Sequence, residues 1–296
     1  MEDIEIVDIS IGSNGQVIVA DKRTLLIDAD TIVYTACLNA ESEIDILPRD
    51  FYTDDEWNSF TDKEKEEGKA YRGDIKVAIS NAVSKLEKIK ELTGCEKYEL
   101  HFTSGKESFR YQIYPAYKAN RKEFRAPCNL AEVKQLLASL HNGFIHTEIE
   151  ADDAVAYLAR RYPDDYIVCA VDKDVLRAIP GKHFNYYESA KHNIDMHWVE
   201  TDNLQAFLFP YRQAIMGDRS DNIIGLQGYG EKKVLKLIPD NANPLEVPEL
   251  LIKAFESNGR TREDALLNYE LCYMGDALRC EDYFDRIKHN GPKEYK

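Results

Sequence analysis

The chain has 296 residues, with 53 Asp and Glu against 38 Lys and Arg for a formal net charge of −15, and is 44 % hydrophobic and 31 % charged. That balance belongs to a globular protein with apolar material for one large core or two modest ones; it speaks against an extended disordered chain and against a nonspecific nucleic-acid binder, which is normally basic. No stretch of about eighteen consecutive apolar residues is present, the acidic start MEDIEIVDIS is unlike a secretory signal, and the six cysteines form no CxxC pair or zinc spacing, so a cytoplasmic protein with reduced thiols and no membrane partner is expected.

Residues 4–19 alternate in β fashion on either side of Ser13-Asn14-Gly15, and Asn-Gly is a strong hairpin signal, so residues 1–20 are expected to form a small β-ribbon. Residues 24–27 are an apolar strand running into Asp28-Ala29-Asp30, and a helical pattern follows over 32–38. Residues 41–69 hold eleven acids against four bases, with Phe51, Tyr52, Trp57 and Phe60 interspersed, which describes a solvated, partly helical insertion or a surface for a partner. Apolar residues recur at helical spacing over 74–92, and Gly94 stops that helix. A strand over 98–103 leads to FRYQIYPAYKANRK at 109–122, where Tyr114 and Tyr117 interleave with Lys118, Arg121 and Lys122 in a Pro-broken loop. Bases among aromatic rings suit phosphate contact and base stacking, although a charge run is also the ordinary form of a solvated face.

A helix over 130–140 and a strand over 143–147 lead into EIEADD at 148–153. Asp152 and Asp153 open a helical pattern, where the helix dipole favours negative charge, and on their own they could be no more than a helix cap. The apolar run 166–171 has strand character and ends on Asp172-Lys173-Asp174 before a second helical pattern at 175–179. Acids at the C-terminal end of a buried strand stand where open α/β sheets place ligands. Two like charges about 4 Å apart repel by roughly 4 kcal/mol at an effective dielectric near 20, so acids gathered at one sheet edge call for cations or protons. Beyond a short strand at 183–187, residues 202–216 read as a helix interrupted by Pro210 that delivers Gly217-Asp218-Arg219-Ser220-Asp221-Asn222, a third acidic group. Residues 223–234 read as helix, glycine turn, helix: Gly228 and Gly230 let backbone amides approach a phosphate, with Lys232 and Lys233 at the next helix N-terminus. The remainder to about residue 283 is helical.

Taken in order, LLIDAD (25–30), FRYQIYPAYKANRK, EIEADD, AVDKD (170–174) and AIMGDRSDNIIGLQGYGEKK (214–233) resemble the bacteriophage and bacterial 5′-nucleases of the flap endonuclease superfamily. The resemblance implies an α/β fold with a mostly parallel central sheet flanked by helices, PIN-like, over residues 21–205, with the acidic insertion 41–69 and a short arch at about 105–145. It also implies a helical C-terminal lobe, 206–296, carrying a helix-hairpin-helix motif. The activity implied is metal-dependent cleavage of DNA near a free 5′ end or a 5′ flap, in phage-type replication, recombination or repair, with RNA of RNA–DNA hybrids left open as a substrate. By the same resemblance Asp28, Glu150 and Asp152 ligate a first magnesium ion, while Asp153, Asp172, Asp174, Asp218 and Asp221 form the second site and its surroundings. Oxygen-only ligands fit magnesium, with manganese as a substitute, since no histidine lies within the acidic motifs. Lys118 and Arg121 would grip the scissile phosphate as catalytic cations; Arg110, Tyr117 and Lys122 would contact DNA, Tyr117 by stacking; Gly228, Gly230, Lys232 and Lys233 would hold the duplex, with a potassium ion on the turn's carbonyls. A monomer is expected, with a replication protein as a partner for residues 1–20 or 41–69.

Two other readings stay open on the residues. Asp28-Ala29-Asp30-Thr31, Thr103, Asp218 and Asp221 also resemble a haloacid dehalogenase-type phosphatase, which leaves EADD, DKD and YKANR without a role. A catalytically inactive DNA-binding accessory protein is the other, because family members commonly carry an aspartate at the end of the second strand, where this chain reads Phe102-Thr103-Ser104-Gly105. The first metal position is therefore expected to be poor in ligand charge and demanding in divalent ion. Ser104→Asp should lower the magnesium concentration for half-maximal activity; a titration in which it matches the wild type removes that expectation.

Overall fold

The computed structural model describes residues 9–11, 17–19, 21–123 and 125–290. Ile9–Ile11 (β1) pairs antiparallel with Val17–Val19 (β2), while the Ser13-Asn14-Gly15 turn expected between them lies outside the described residues. β3 (Asp21–Asp28) is the inner strand from which the main sheet is built, and it passes directly into α1 (Asp30–Leu38). The insertion forms β4 (Glu41–Asp45), α2 (Asp54–Asn58), α3 (Asp62–Glu67) and β5 (Lys69–Gly73), with β4 and β5 antiparallel. Threonine capping boxes start both helices, Thr53 with Glu56 and Thr61 with Glu64. Tyr52, Trp57 and Phe60 pack ring on ring at 5.2 to 6.2 Å between centroids, giving the insertion an apolar centre of its own.

α4 (Ile75–Thr93) starts at Asp74, whose carboxylate accepts from the Lys76 and Val77 amides, and ends at left-handed Gly94. β6 (Cys95–Thr103) follows, then α5 (Phe109–Ile113) and α6 (Leu130–Leu140) at the two ends of the arch segment. β7 (Gly143–His146), α7 (Ala151–Arg161), β8 (Tyr166–Ala170), α8 (Lys173–Ala178), β9 (Gly181–Asn185) and β10 (His197–Thr201) complete the α/β part. The sheet order is β10-β9-β8-β3-β6-β7, and every neighbouring pair is parallel except β10 with β9. Leu25, Leu26 and Ile27 are wholly buried, the continuous apolar run of a strand covered on both faces. Leu25 and Ile27 pack with Val33, Leu86, Ile89 and Val133 of α1, α4 and α6. Leu26 turns the other way, to Val155 and Ala156 of α7 and to Val175 and Leu176 of α8. The chain leaves β3 toward β6 and β7, then returns through α7 to β8 on the opposite side of β3. The order therefore reverses at β3, and the crevice beyond the C-terminal ends of β3 and β8 is the switch point where such sheets hold ligands.

α9 (Asn203–Met216) runs through Pro210 without a break, correcting the expected interruption: burial of Leu208, Tyr211, Ala214 and Ile215 along the helix outweighs one lost backbone hydrogen bond. At Gly217, φ 75°, a two-residue ladder of β11 (Gly217–Asp218) with β12 (Ile223–Ile224) turns the chain. The stretch 223–228 is thus not the helix expected before the glycine turn. Leu226 N bonds Ile215 O at 2.8 Å, and a Cβ on Gly225 would stand 2.2 Å from the Met216 carbonyl carbon, so the strands close tightly on one another. α10 (Glu231–Leu237), α11 (Val247–Glu256), α12 (Arg262–Cys272) and α13 (Ala277–Asn290) follow. Leu208, Ile215, Val234, Leu251, Phe255 and Leu271 form the core of this lobe, and Tyr117 of the arch joins it.

Two contacts fasten the arch. Glu41 of β4 accepts from Arg125 Nη1 (2.9 Å) and Nη2 (2.5 Å) and from the Cys128 amide, and the Arg125 hydrogen bond holds its carboxyl down at about 2. At the other end Arg110 of α5 is 1 % exposed and donates to Asp153 Oδ1 (2.9 Å) and Oδ2 (2.5 Å), to Glu150 Oε2 (3.1 Å) and to the carbonyls of Leu271 (2.9 Å) and Tyr273 (3.1 Å). Gly275 N adds a bond to Asp153 Oδ1 at 3.0 Å. One buried ion pair therefore joins the arch, α7 and the α12–α13 connection. Arg110→Met would strand Asp153 as a buried unpaired carboxylate, a loss of about 3–5 kcal/mol, read as a fall in Tm of roughly 10 °C; a Tm within about 2 °C of wild type would show that the pair does not hold these elements together.

Candidate active site

The segments after β3, β7 and β8, with the separate β11–β12 ladder, each bring acids. Asp28 ends β3; Glu150 is the N-cap of α7 with Asp152 in its first turn; Asp172 caps α8, its carboxylate accepting from Asp174 N at 2.7 Å; Asp218 ends β11 and Asp221 sits on the turn before β12. Asp28, Glu150, Asp152, Asp172, Asp174, Asp218 and Asp221 all line one cavity of about 150 Å³, and Asp30, which was not expected as a ligand, lines it with them. Ligand oxygens of Glu150, Asp152 and Asp153 lie within 4.8 Å of one another. An oxygen-only donor set of this density fits a hard divalent cation.

Bases face the acids. Lys118 Nζ lies 2.6 Å from Glu150 Oε1 and 3.9 Å from Asp221 Oδ2, and Arg121 Nη2 lies 2.5 Å from Asp221 Oδ1. Lys118 is held in a left-handed backbone, φ 52°, with its amide on Asp221 O at 2.9 Å. Gln213, buried in α9, donates to both Asp174 and Asp218, and Ser220 donates to Asp218 Oδ1 through its amide (2.7 Å) and hydroxyl (2.6 Å). The sequence assigns no role to Gln213 or Ser220, since an amide side chain inside a helix and a serine in a turn carry no signal of their own.

Several expected roles change. Asp153 does not line the cavity: both its oxygens are taken by Arg110, with Gly275 and Glu150 amides added, so it serves as a buried counter-ion. Arg110 borders the acid cavity but is 1 % exposed, and its guanidinium is engaged by Asp153, Glu150 and the carbonyls of Leu271 and Tyr273 rather than offered at the surface. Tyr117, 2 % exposed, has no free face for stacking; its hydroxyl lies 2.8 Å from Glu150 Oε2 and 2.8 Å from Asp221 Oδ2, sharing one proton between two carboxylates. Gly228 (φ 75°) and Gly230, the N-cap of α10, form the expected turn, with Lys232 and Lys233 exposed and Lys233 Nζ 3.5 Å from the Tyr229 ring centroid, but none of these lines the acid cavity. Lys122 lies in the short 3-10 turn after Lys118, and its side chain is outside the described part.

Crowding shifts the acids. Burial, then the neighbouring Asp30 and Asp172, pushes Asp28 up to about 7, and burial with Asp172 beside it pushes Asp174 up to about 7. Burial, Asp153 and Glu150 raise Asp152 well above the usual carboxylate range. Asp153 goes the other way, because Arg110 overrides the effect of burial. Asp218 is lowered too: burial works against it, and the Ser220 hydroxyl and amide prevail.

A parallel sheet with a crevice of oxygen donors, faced by a lysine and an arginine, is an arrangement suited to a hard divalent cation beside a phosphate. The chain belongs to the 5′-3′ exonuclease family: the family described as 5′-3′ exonuclease, N-terminal resolvase-like domain, matches residues 45–204. That span contains Lys118, Arg121, Glu150, Asp152, Asp172 and Asp174, and the fold brings Asp28, Asp218 and Asp221 to them from outside it. With the family established, the haloacid dehalogenase-type phosphatase reading falls. Among relatives, the thermostable DNA polymerase I of Thermus thermophilus is 30 % identical over 226 residues, 71 % of this chain and 26 % of the relative. DNA polymerase I of Pseudomonas aeruginosa is 29 % identical over 210 residues, 63 % of this chain and 22 % of the relative. The chain thus spans about a quarter of these relatives' length. Its fold is similar to that of the T5 5′-exonuclease with divalent metal ions bound (TM-score 0.57, 18 % identity, 93 % of this chain and 96 % of that one) and to the bacteriophage T5 flap endonuclease in complex with DNA and metal ions (TM-score 0.56, 20 % identity, 73 % and 88 %).

The raised acids give a pH signature in the metal-free protein. Between about pH 4, where an unfolded aspartate loses its proton, and about 7, where Asp28 and Asp174 lose theirs in the fold, the native state holds protons that the unfolded chain has released, so these groups make stability fall as pH rises. In chelator, Asp28→Asn should flatten the decline of Tm between pH 5 and 8 relative to wild type; a steeper decline in the variant would reverse the assignment.

Proposed function

We propose that the protein is a magnesium-dependent 5′-3′ exonuclease and flap endonuclease that hydrolyses DNA phosphodiesters near 5′ ends. The observation that carries this reading is the meeting of seven expected acids, from β3, α7, α8 and the β11–β12 turn, in one cavity that Lys118 and Arg121 also line. Asp28, Glu150 and Asp152 would hold one cation, and Asp172, Asp174, Asp218 and Asp221 a second. Bound there, two hard cations supply Lewis acidity and lower the pKa of a bound water, the usual means of in-line attack on a phosphodiester. Lys118 and Arg121 grip the scissile phosphate and offset the charge that grows on its oxygens in the transition state. For Lys118 to do so it must exchange Glu150 for the phosphate, and Glu150 is thereby freed toward a cation. Tyr117 keeps Glu150 and Asp221 at a fixed separation, and Gln213 does the same for Asp174 and Asp218. Manganese would substitute for magnesium. The exposed Lys232 and Lys233 beside the glycine turn suit the duplex backbone, with a potassium ion on the turn. A monomer acting in the cytoplasm, on RNA of hybrids as well as DNA and with a replication protein on the insertion, completes the proposal.

Digestion of 5′-labelled duplex and flap DNA should proceed with magnesium and stop with EDTA. Asp174→Asn should abolish cleavage yet leave DNA binding in calcium within a few-fold of wild type, and Lys118→Ala should slow cleavage by about 100-fold or more. Near-normal turnover by Lys118→Ala, or cleavage that survives EDTA, would refute the proposed chemistry.

A further inference from the structure

Asp30 stands outside the set assigned from sequence. It opens α1 two residues after Asp28 and lines the same cavity, and its carboxylate is held from two sides. Oδ1 receives Lys134 Nζ at 2.7 Å, and Oδ2 receives the Thr103 amide at 3.0 Å. Lys134 projects from α6, is 14 % exposed, and also donates to Thr103 O at 2.5 Å. β6 ends at Thr103 without an acid of its own, and the Thr103 hydroxyl is occupied by Ala151 N at 2.9 Å. The carboxylate standing over that strand end is therefore the one that α1 supplies.

We propose that Asp30 adds its charge to the divalent-ion position beside Asp28 through an intervening water, and that Lys134 is a fixed internal cation that sets how strongly this position attracts the ion. The inference rests on the metal-dependent reading above. Each Asp30 oxygen has one donor in place and retains a lone pair for a metal-bound water. Lys134 offsets, at hydrogen-bond distance, charge that would otherwise fall on the ion. Without Asp30, the ammonium remains as an unopposed positive charge beside the ion; without Lys134, the carboxylate acts on the ion at full strength. The two removals must move metal affinity in opposite directions, whereas a salt bridge that only fastened α6 to α1 would move both the same way.

Manganese binding to the whole chain, followed by calorimetry and by the EPR signal of the free ion, reads this without recourse to activity. Asp30→Asn should weaken binding about tenfold, Lys134→Met should tighten it several-fold, and Asp152→Asn, as the reference, should weaken it severely. Weaker or unchanged binding in Lys134→Met overturns the inference, as does unchanged binding in Asp30→Asn while Asp152→Asn fails. If Asp30→Asn does not fold, the sign of the Lys134→Met shift decides alone. Unchanged binding in Asp152→Asn would instead strike the metal-dependent reading itself.

Discussion

Mutual repulsion of carboxylates is the constraint to which this structure answers. Eight acids line a cavity of about 150 Å³, and at such spacing each close pair costs several kcal/mol unless charge is offset. Fixed cations take part of the load: Arg110 on Asp153 and Glu150, Lys118 on Glu150, Arg121 on Asp221, Lys134 on Asp30. Protons take another part, on Asp28, Asp152 and Asp174. Asp152 has no base at ion-pair distance among the described residues, and it is here that a divalent cation has most to gain.

The fold could be read from sequence where an apolar strand ran straight into acids. Residues 24–30 and 166–174 carry that pattern, and the parallel sheet, its helices and the gathering of Asp28, Glu150, Asp152, Asp172, Asp174, Asp218 and Asp221 follow from it. The arch was less legible. Arg110 and Tyr117 look like nucleic-acid contacts in a basic, aromatic loop, but a residue list does not distinguish a guanidinium facing water from one folded back on a buried carboxylate. Asp152 and Asp153 show the same limit: successive helix positions are about 100° apart, so one acid enters the cavity and its neighbour turns to Arg110 and the C-terminal lobe. The two-residue ladder at Gly217 was hidden because its strands are too short for any alternation, and its cause, the close passage of Gly217 and Gly225, is a tertiary contact.

The acidic insertion owes its place to the same economy of charge. Its surface acids are solvated, but Glu41 at its root is turned inward onto Arg125 and the Cys128 amide, while Asn129 bonds Gly73 O at 2.8 Å. The outgoing leg of the arch is thereby clasped to the β4–β5 hairpin, a two-stranded sheet of its own. With Arg110 at the ingoing leg, both ends of the arch are pinned by charge rather than by apolar packing alone.

Lys118 occupies a backbone region that side chains with a Cβ enter at a cost of order 1–3 kcal/mol. Glycine would adopt it freely but would bring no ammonium, so the chain carries a conformational penalty at a residue whose charge stands among the acids. Because the amide on Asp221 O fixes that backbone and Glu150 Oε1 holds Nζ at 2.6 Å, the ammonium already stands among the acids in the folded chain. The entropy of positioning has been settled during folding rather than at each encounter, which is pre-organisation in its thermodynamic sense.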